Sequence, residues 1–287
     1  MVRTISHVLT SNSALQHLHE FTLQPAIDED VAALWELSPI FYAPGLREIR
    51  GIGIDLDDED GGDFPNTPHP SIRQILLARS SINISHGLDI LLRGCERLEP
   101  LSIAFGDPNE DIDLVDDYSN FGQVLRQHGT KLLRLSIRRS ELDNDQTRHR
   151  TPLGSLAELT SLRVLNLSFE ALYGDETELN NRPATWLREN LPHSVETLSV
   201  MHVVHSASQV LDEQLRGLMN DMRFSALNTI QVLGEEDDGD SPEEDDEEFS
   251  DDEEEDVRED KVVPDDVALE NFQRMLADYQ RILDSRT

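Results

Sequence analysis

Leu132-Leu133-Arg134-Leu135-Ser136-Ile137 returns thirty residues later as Leu162-Arg163-Val164-Leu165-Asn166-Leu167. Both phrases place apolar residues at the first, fourth and sixth positions. Six further copies of that spacing are Leu18/Phe21/Leu23, Ile49/Ile52/Ile54, Ile72/Ile75/Leu77, Leu98/Leu101/Ile103, Val195/Leu198/Val200 and Leu227/Ile230/Val232. Their first positions lie 31, 23, 26, 34, 30, 33 and 32 residues apart. Successive side chains of a strand point to opposite faces, so the fourth and sixth positions share one face. A turn and short strand recurring at a period of roughly 20–50 residues is the signature of a solenoid. One such unit cannot bury its own apolar face; a stack of them can.

Most repeats add a helical stretch after the strand. Apolar periodicity predicts helices over 28–41, 85–97 with Ser85 as N-cap, 119–128 stopped by Gly129, 184–190 ended by Pro192, and 208–222. The long acidic excursions 55–69 and 106–118 read as solvated loops. The fold expected is α/β: a right-handed solenoid with parallel strands on the concave face and helices on the convex face.

Charge divides the chain further. It carries 24 Lys and Arg against 58 Asp and Glu, a net charge of −34. The stretch 235–260 holds 19 acidic residues and one basic residue, Arg258. Charges of one sign at that density repel and cover no core, so 235–263 reads as a disordered acidic linker. Beyond it, Leu269, Phe272, Leu276, Tyr279 and Leu283 fall on one stripe, and 264–287 reads as an amphipathic helix. That helix would cap the solenoid's open end or meet a partner. The domain reading is 1–234 solenoid, 235–263 linker and 264–287 helix.

The acidic balance argues against nucleic acid and anionic membranes, which need clustered Lys and Arg. Cys95 is the only cysteine, and the first 23 residues contain no continuous apolar stretch, which fits a cytoplasmic or nuclear protein. Catalytic signals are weak. The ten histidines form no His-Glu-x-x-His pattern, and Gly51-Ile52-Gly53 lacks the third glycine of a dinucleotide loop. Aligned as a calcium loop on Gly61, the stretch from Asp57 would place Leu56 and Thr67 at ligand positions. The expectation is a protein without catalytic residues, cofactor or metal.

What remains is the strand surface facing away from the apolar positions. Candidate partner contacts there are Arg134, Ser136, Arg138, Asn166, Ser168, Ser199 and Met201. In the second repeat the same rule gives Gly51, Gly53 and Asp55. Arg134 and Arg138 stand out as a positive pair suited to a carboxylate or phosphorylated side chain. Ser241 and Ser250, in acidic surroundings, are candidate phosphosites.

Leu98-Glu99-Pro100-Leu101-Ser102-Ile103, with the two phrases quoted first, resembles leucine-rich repeats. Leu91-Leu92-Arg93-Gly94-Cys95-Glu96-Arg97-Leu98 resembles the repeats of fungal F-box proteins, over about residues 14–233. That resemblance implies a substrate-recognition domain of a ubiquitin ligase, with a scaffold bound through an F-box; no F-box pattern precedes Leu18 here. Repeats followed by an acidic tract also resemble acidic nuclear phosphoproteins, implying basic partners such as histones held by 235–260.

Overall fold

The structure, a computed structural model, describes residues 17–23, 32–33, 38–41, 43–55, 69, 71–80, 86–105, 118–138, 151–174, 179, 181–203 and 207–234. The chain divides into two units, Met1–Glu235 and Glu236–Thr287, and every described residue lies in the first. The acidic linker, the C-terminal helix, Ser241 and Ser250 therefore fall outside the described residues, as do most of the two acidic loops.

The strands are β1 (Glu20–Leu23), β2 (Ala32–Ala33), β3 (Glu48–Ile52), β4 (Ile54–Asp55), β5 (Gln74–Ser80), β6 (Pro100–Phe105), β7 (Arg134–Arg138), β8 (Val164–Ser168), β9 (Thr197–Val203) and β10 (Thr229–Gly234). Eight of them form one parallel sheet in the order β1-β3-β5-β6-β7-β8-β9-β10, which follows the chain. β2 and β4 make a separate two-stranded parallel pair. The helices are α1 (Ser38–Phe41), α2 (His86–Gly94), α3 (Tyr118–His128), α4 (Phe169–Tyr173), α5 (Trp186–Asn190) and α6 (Ser208–Met219). This is an α/β fold whose topology is compatible with a solenoid.

Two backbone devices recur from repeat to repeat among the described residues. The first is a tight turn: the N–H of Leu46, Ile72, Leu98, Leu132, Leu162, Val195 and Leu227 donates to the carbonyl three residues earlier. The second joins neighbouring repeats just before the strands. The carbonyls of His19, Arg47, Glu99, Leu133, Arg163 and Glu196 each accept two N–H groups from the next repeat. Arg73 accepts only one, from Glu99 at 2.9 Å, because the next residue is Pro100, which has no N–H. As the first residue of β6, Pro100 sits where a strand tolerates proline.

Side chains complete what the backbone begins. Ile49, Ile75, Leu101, Leu135, Leu165 and Leu198 stand in one register row and are almost wholly buried. The next core row runs Gly51, Leu77, Ile103, Ile137, Leu167 and Val200. The register corrects the sequence reading of the second repeat. Ile49 pairs with Phe21 and Ile75, so its unit is Leu46/Ile49/Gly51, three residues earlier than the spacing predicted. The first two intervals become 28 and 26 residues, more even than 31 and 23.

The reason for the misreading is a bulge. Two residues after the last core position, Gly53, Arg79 and His202 all have positive φ, at 61°, 47° and 56°. The kink reverses the alternation, so Ile54, Ser80 and Val203 turn back inward and are buried. Ile54 then occupies the space that a side chain on Gly51 would need: a Cβ there would overlap Ile54 Cγ1. The Ile49/Ile52/Ile54 spacing thus mixes one core position with residues around the bulge.

Helix expectations fared unevenly. α2, α5 and α6 fall within predicted helical stretches. α3 begins one residue before its predicted start, at Tyr118, which the sequence reading places in a loop and which is instead buried; Gly129 N donates to Leu125 O as α3 ends. The 28–41 helix is corrected: Ala32–Ala33 is a strand, and the helix there is Ser38–Phe41. α4 follows β8 without a loop. Edge-on contacts join Phe105 to Tyr118 and Phe121 at 5.7 and 6.2 Å, tying β6 to α3. Among the described residues no helix is long and apolar enough to cross a membrane.

Replacing Gly51 with Val follows the repeat pattern, yet it should lower stability by about 1–3 kcal/mol through overpacking against Ile54. Adding Ile54→Ala should recover most of the loss, because volume is then roughly conserved. Denaturant titration of both variants measures the effect; a stabilised Gly51→Val protein would contradict the register.

Candidate functional site

The seven candidate contacts lie on three adjacent strands, on the face opposite the core rows. Register places Asn166 between Ser136 and Ser199, and Ser168 beside Met201. Arg134 and Arg138 flank Ser136 on β7, as the two-residue period requires.

Burial separates these residues. Ser136 and Ser168 are fully buried, Ser199 and Met201 nearly so, and Arg134, Arg138 and Asn166 are half-buried. Ser136 sits between two long arginine stems on its own strand, and such stems cover small neighbours. Ser168 has a structural task as N-cap of α4, accepting a hydrogen bond from Ala171 N at 3.4 Å. Ser199 donates to Gln231 Oε1 on β10 at 3.1 Å. Two polar atoms lack a partner: Ser136 Oγ and Arg138 Nε, both buried and both on this face. Arg138 and Ser136 are therefore the pair whose hydrogen-bonding capacity is left over.

The second repeat presents Glu48, Arg50 and Ile52 here, not Gly51, Gly53 and Asp55, as the corrected register demands. Arg50 Nε lies 2.6 Å from Glu48 and 3.3 Å from Glu20, and Gln74 donates to Glu48 at 3.0 Å. This network ties β1, β3 and β5 and consumes Arg50's charge.

Sequence reasoning missed a cluster at the sheet's strand-entry edge. Pro44, Gly45, Arg47, Ser71, Arg73 and Arg97 line a cavity of about 350 Å³. The signal was present: arginine follows the first apolar position in two successive repeats, Leu46-Arg47 and Ile72-Arg73. The three-residue error in the second repeat hid it by putting Arg50 in that seat.

Nucleophilic chemistry at the single cysteine is disfavoured. Cys95 is buried below the α2 terminus, and burial pushes its thiol up to about 12, so the reactive thiolate is suppressed near neutral pH. Among the described residues no group of three or more His, Cys, Asp or Glu is placed to hold a metal ion.

No family model matches the chain, and no curated protein matches it in sequence.

Two expectations separate structure from surface. Ser168→Ala should cost about 1 kcal/mol by uncapping α4, whereas Ser136→Ala should be neutral or slightly stabilising because it removes an unpartnered buried hydroxyl. Thermal melts of the two variants test this; equal losses would contradict it. A thiol reagent at pH 8 should leave Cys95 unmodified in the folded protein and modify it in denaturant, and rapid native labelling would contradict the burial.

Proposed function

We propose that this chain is a leucine-rich-repeat solenoid serving as a non-catalytic protein-interaction module, of the substrate-recognition type found in F-box ubiquitin-ligase subunits. The observation carrying the proposal is the half-buried Arg138 on the sheet face away from the core, whose Nε has no hydrogen-bond partner among the described residues. Parallel strands in chain order support the repeat reading, since each repeat adds one strand and three surface seats. A guanidinium suits carboxylate or phosphoryl groups on a protein partner. A second reading, an acidic histone-binding or chaperone-like protein, is favoured by the charge density of 235–260.

One experiment separates the two. The full chain, an Arg134→Glu/Arg138→Glu variant and a variant lacking 235–260 are compared for co-purifying proteins. The recognition reading expects a discrete set of partner proteins that charge reversal reduces at least tenfold and the deletion spares. Loss of basic partners on deletion, with the face variant unaffected, would favour the acidic reading and overturn the first.

A further inference from the structure

We infer that the cavity at the strand-entry edge is an anion site that takes a phosphoryl group, held by Arg47, Arg73 and Arg97. It is separate from the face of β7 and stands whether or not the proposed function does.

The argument begins with placement. Arg47 and Arg73 occupy the same seat in successive repeats, immediately before β3 and β5. Arg73 N and Gln74 N both donate to Arg47 O, at 2.8 and 3.1 Å, which fixes the two arginines on adjacent strands. Neighbouring strands are roughly 4.8 Å apart, and like charges directly opposite one another are destabilising. Arg97 joins them from the turn after α2, whose Leu98 N donates to Cys95 O at 3.0 Å.

The same seat behaves differently elsewhere in the sheet. Three repeats beyond Arg73, at β8 and β9, it holds Arg163 and Glu196, and these form an ion pair. Arg50, Arg93, Arg216 and Arg223 likewise lie against carboxylates. A chain with 58 acidic residues has no shortage of counter-charges. Yet among the described residues no ion pair engages Arg47, Arg73 or Arg97. Glu48, next to Arg47, is held by Arg50 and Gln74, and Glu99 takes the seat beyond Arg73 without pairing to it. Three uncompensated cations facing one cavity are stabilised by an anion between them.

Chemistry narrows the anion. Guanidinium forks match phosphate oxygens two at a time, and three of them suit a group with several charged oxygens better than a single carboxylate. Ser71 adds a hydroxyl to the lining. About 350 Å³ is at the small end of ligand cavities, room for a phosphoryl group with a short attachment. The attachment is either a small molecule or a phosphorylated side chain.

Calorimetric titration of the full chain with inorganic pyrophosphate, and separately with a short peptide carrying one phosphoserine, tests the site. Saturable binding of either probe is expected, weakened at least tenfold in Arg73→Gln and in Arg97→Gln and unaffected in Arg163→Gln. Pyrophosphate binding alone identifies a small-molecule source; tighter binding of the phosphopeptide than of its unphosphorylated form identifies a side chain. Thermal melts confirm that these exposed substitutions leave the fold intact. No binding of either probe, or binding unchanged in both arginine variants, would overturn the inference.

Discussion

The structure depends on apolar side chains in register across parallel strands. Ile75, Leu101, Leu135, Leu165 and Leu198 each lie between equivalents on both sides and are at most 1% exposed. Full burial of such a side chain is worth about 1.5–3 kcal/mol, so the row is a large collective contribution. It also dictates the backbone. The strands must be parallel and chain-ordered for every repeat to offer the same face, and the carbonyls just before the strands, six of them doubly accepted, lock that order. The row weakens at its ends: Phe21 and Ile230 are only partly buried, and Val232 and Leu233 on β10 are exposed.

Electrostatics follows from the same regularity. A seat repeated once per strand brings its occupants within a strand spacing of one another, so their charges matter. Where Arg163 meets Glu196 the seat adds an ion pair; where Arg47 meets Arg73 it concentrates positive charge. The core row and the cationic cavity are thus two consequences of one periodicity.

Much of this was legible in the residues. Seven of the eight apolar triplets mark the observed rows, because leucine-type side chains at fourth and sixth positions leave little choice of face. The second triplet misled because glycine holds the core seat at Gly51 while Ile54 fills it from beyond a bulge. Hydropathy does not encode a positive φ at Arg79 or His202. α4 escaped notice because five residues make little more than one turn, and the helix starts on the strand's last residue, Ser168. On the candidate face, polarity suggested accessibility for Ser136, Ser168 and Ser199, but small side chains in a sheet are overshadowed by long neighbours or used in capping. The arginine cavity required correct register between repeats, which is a tertiary property.

Amide hydrogen exchange tests the central claim most directly. If the in-register ladder holds the fold, the amides of Leu101, Leu135, Leu165 and Leu198 exchange most slowly and by a shared opening, with β1 and β10 faster. Strand amides at these four positions exchanging as quickly as those of the 154–161 connection would contradict the ladder and the account built on it.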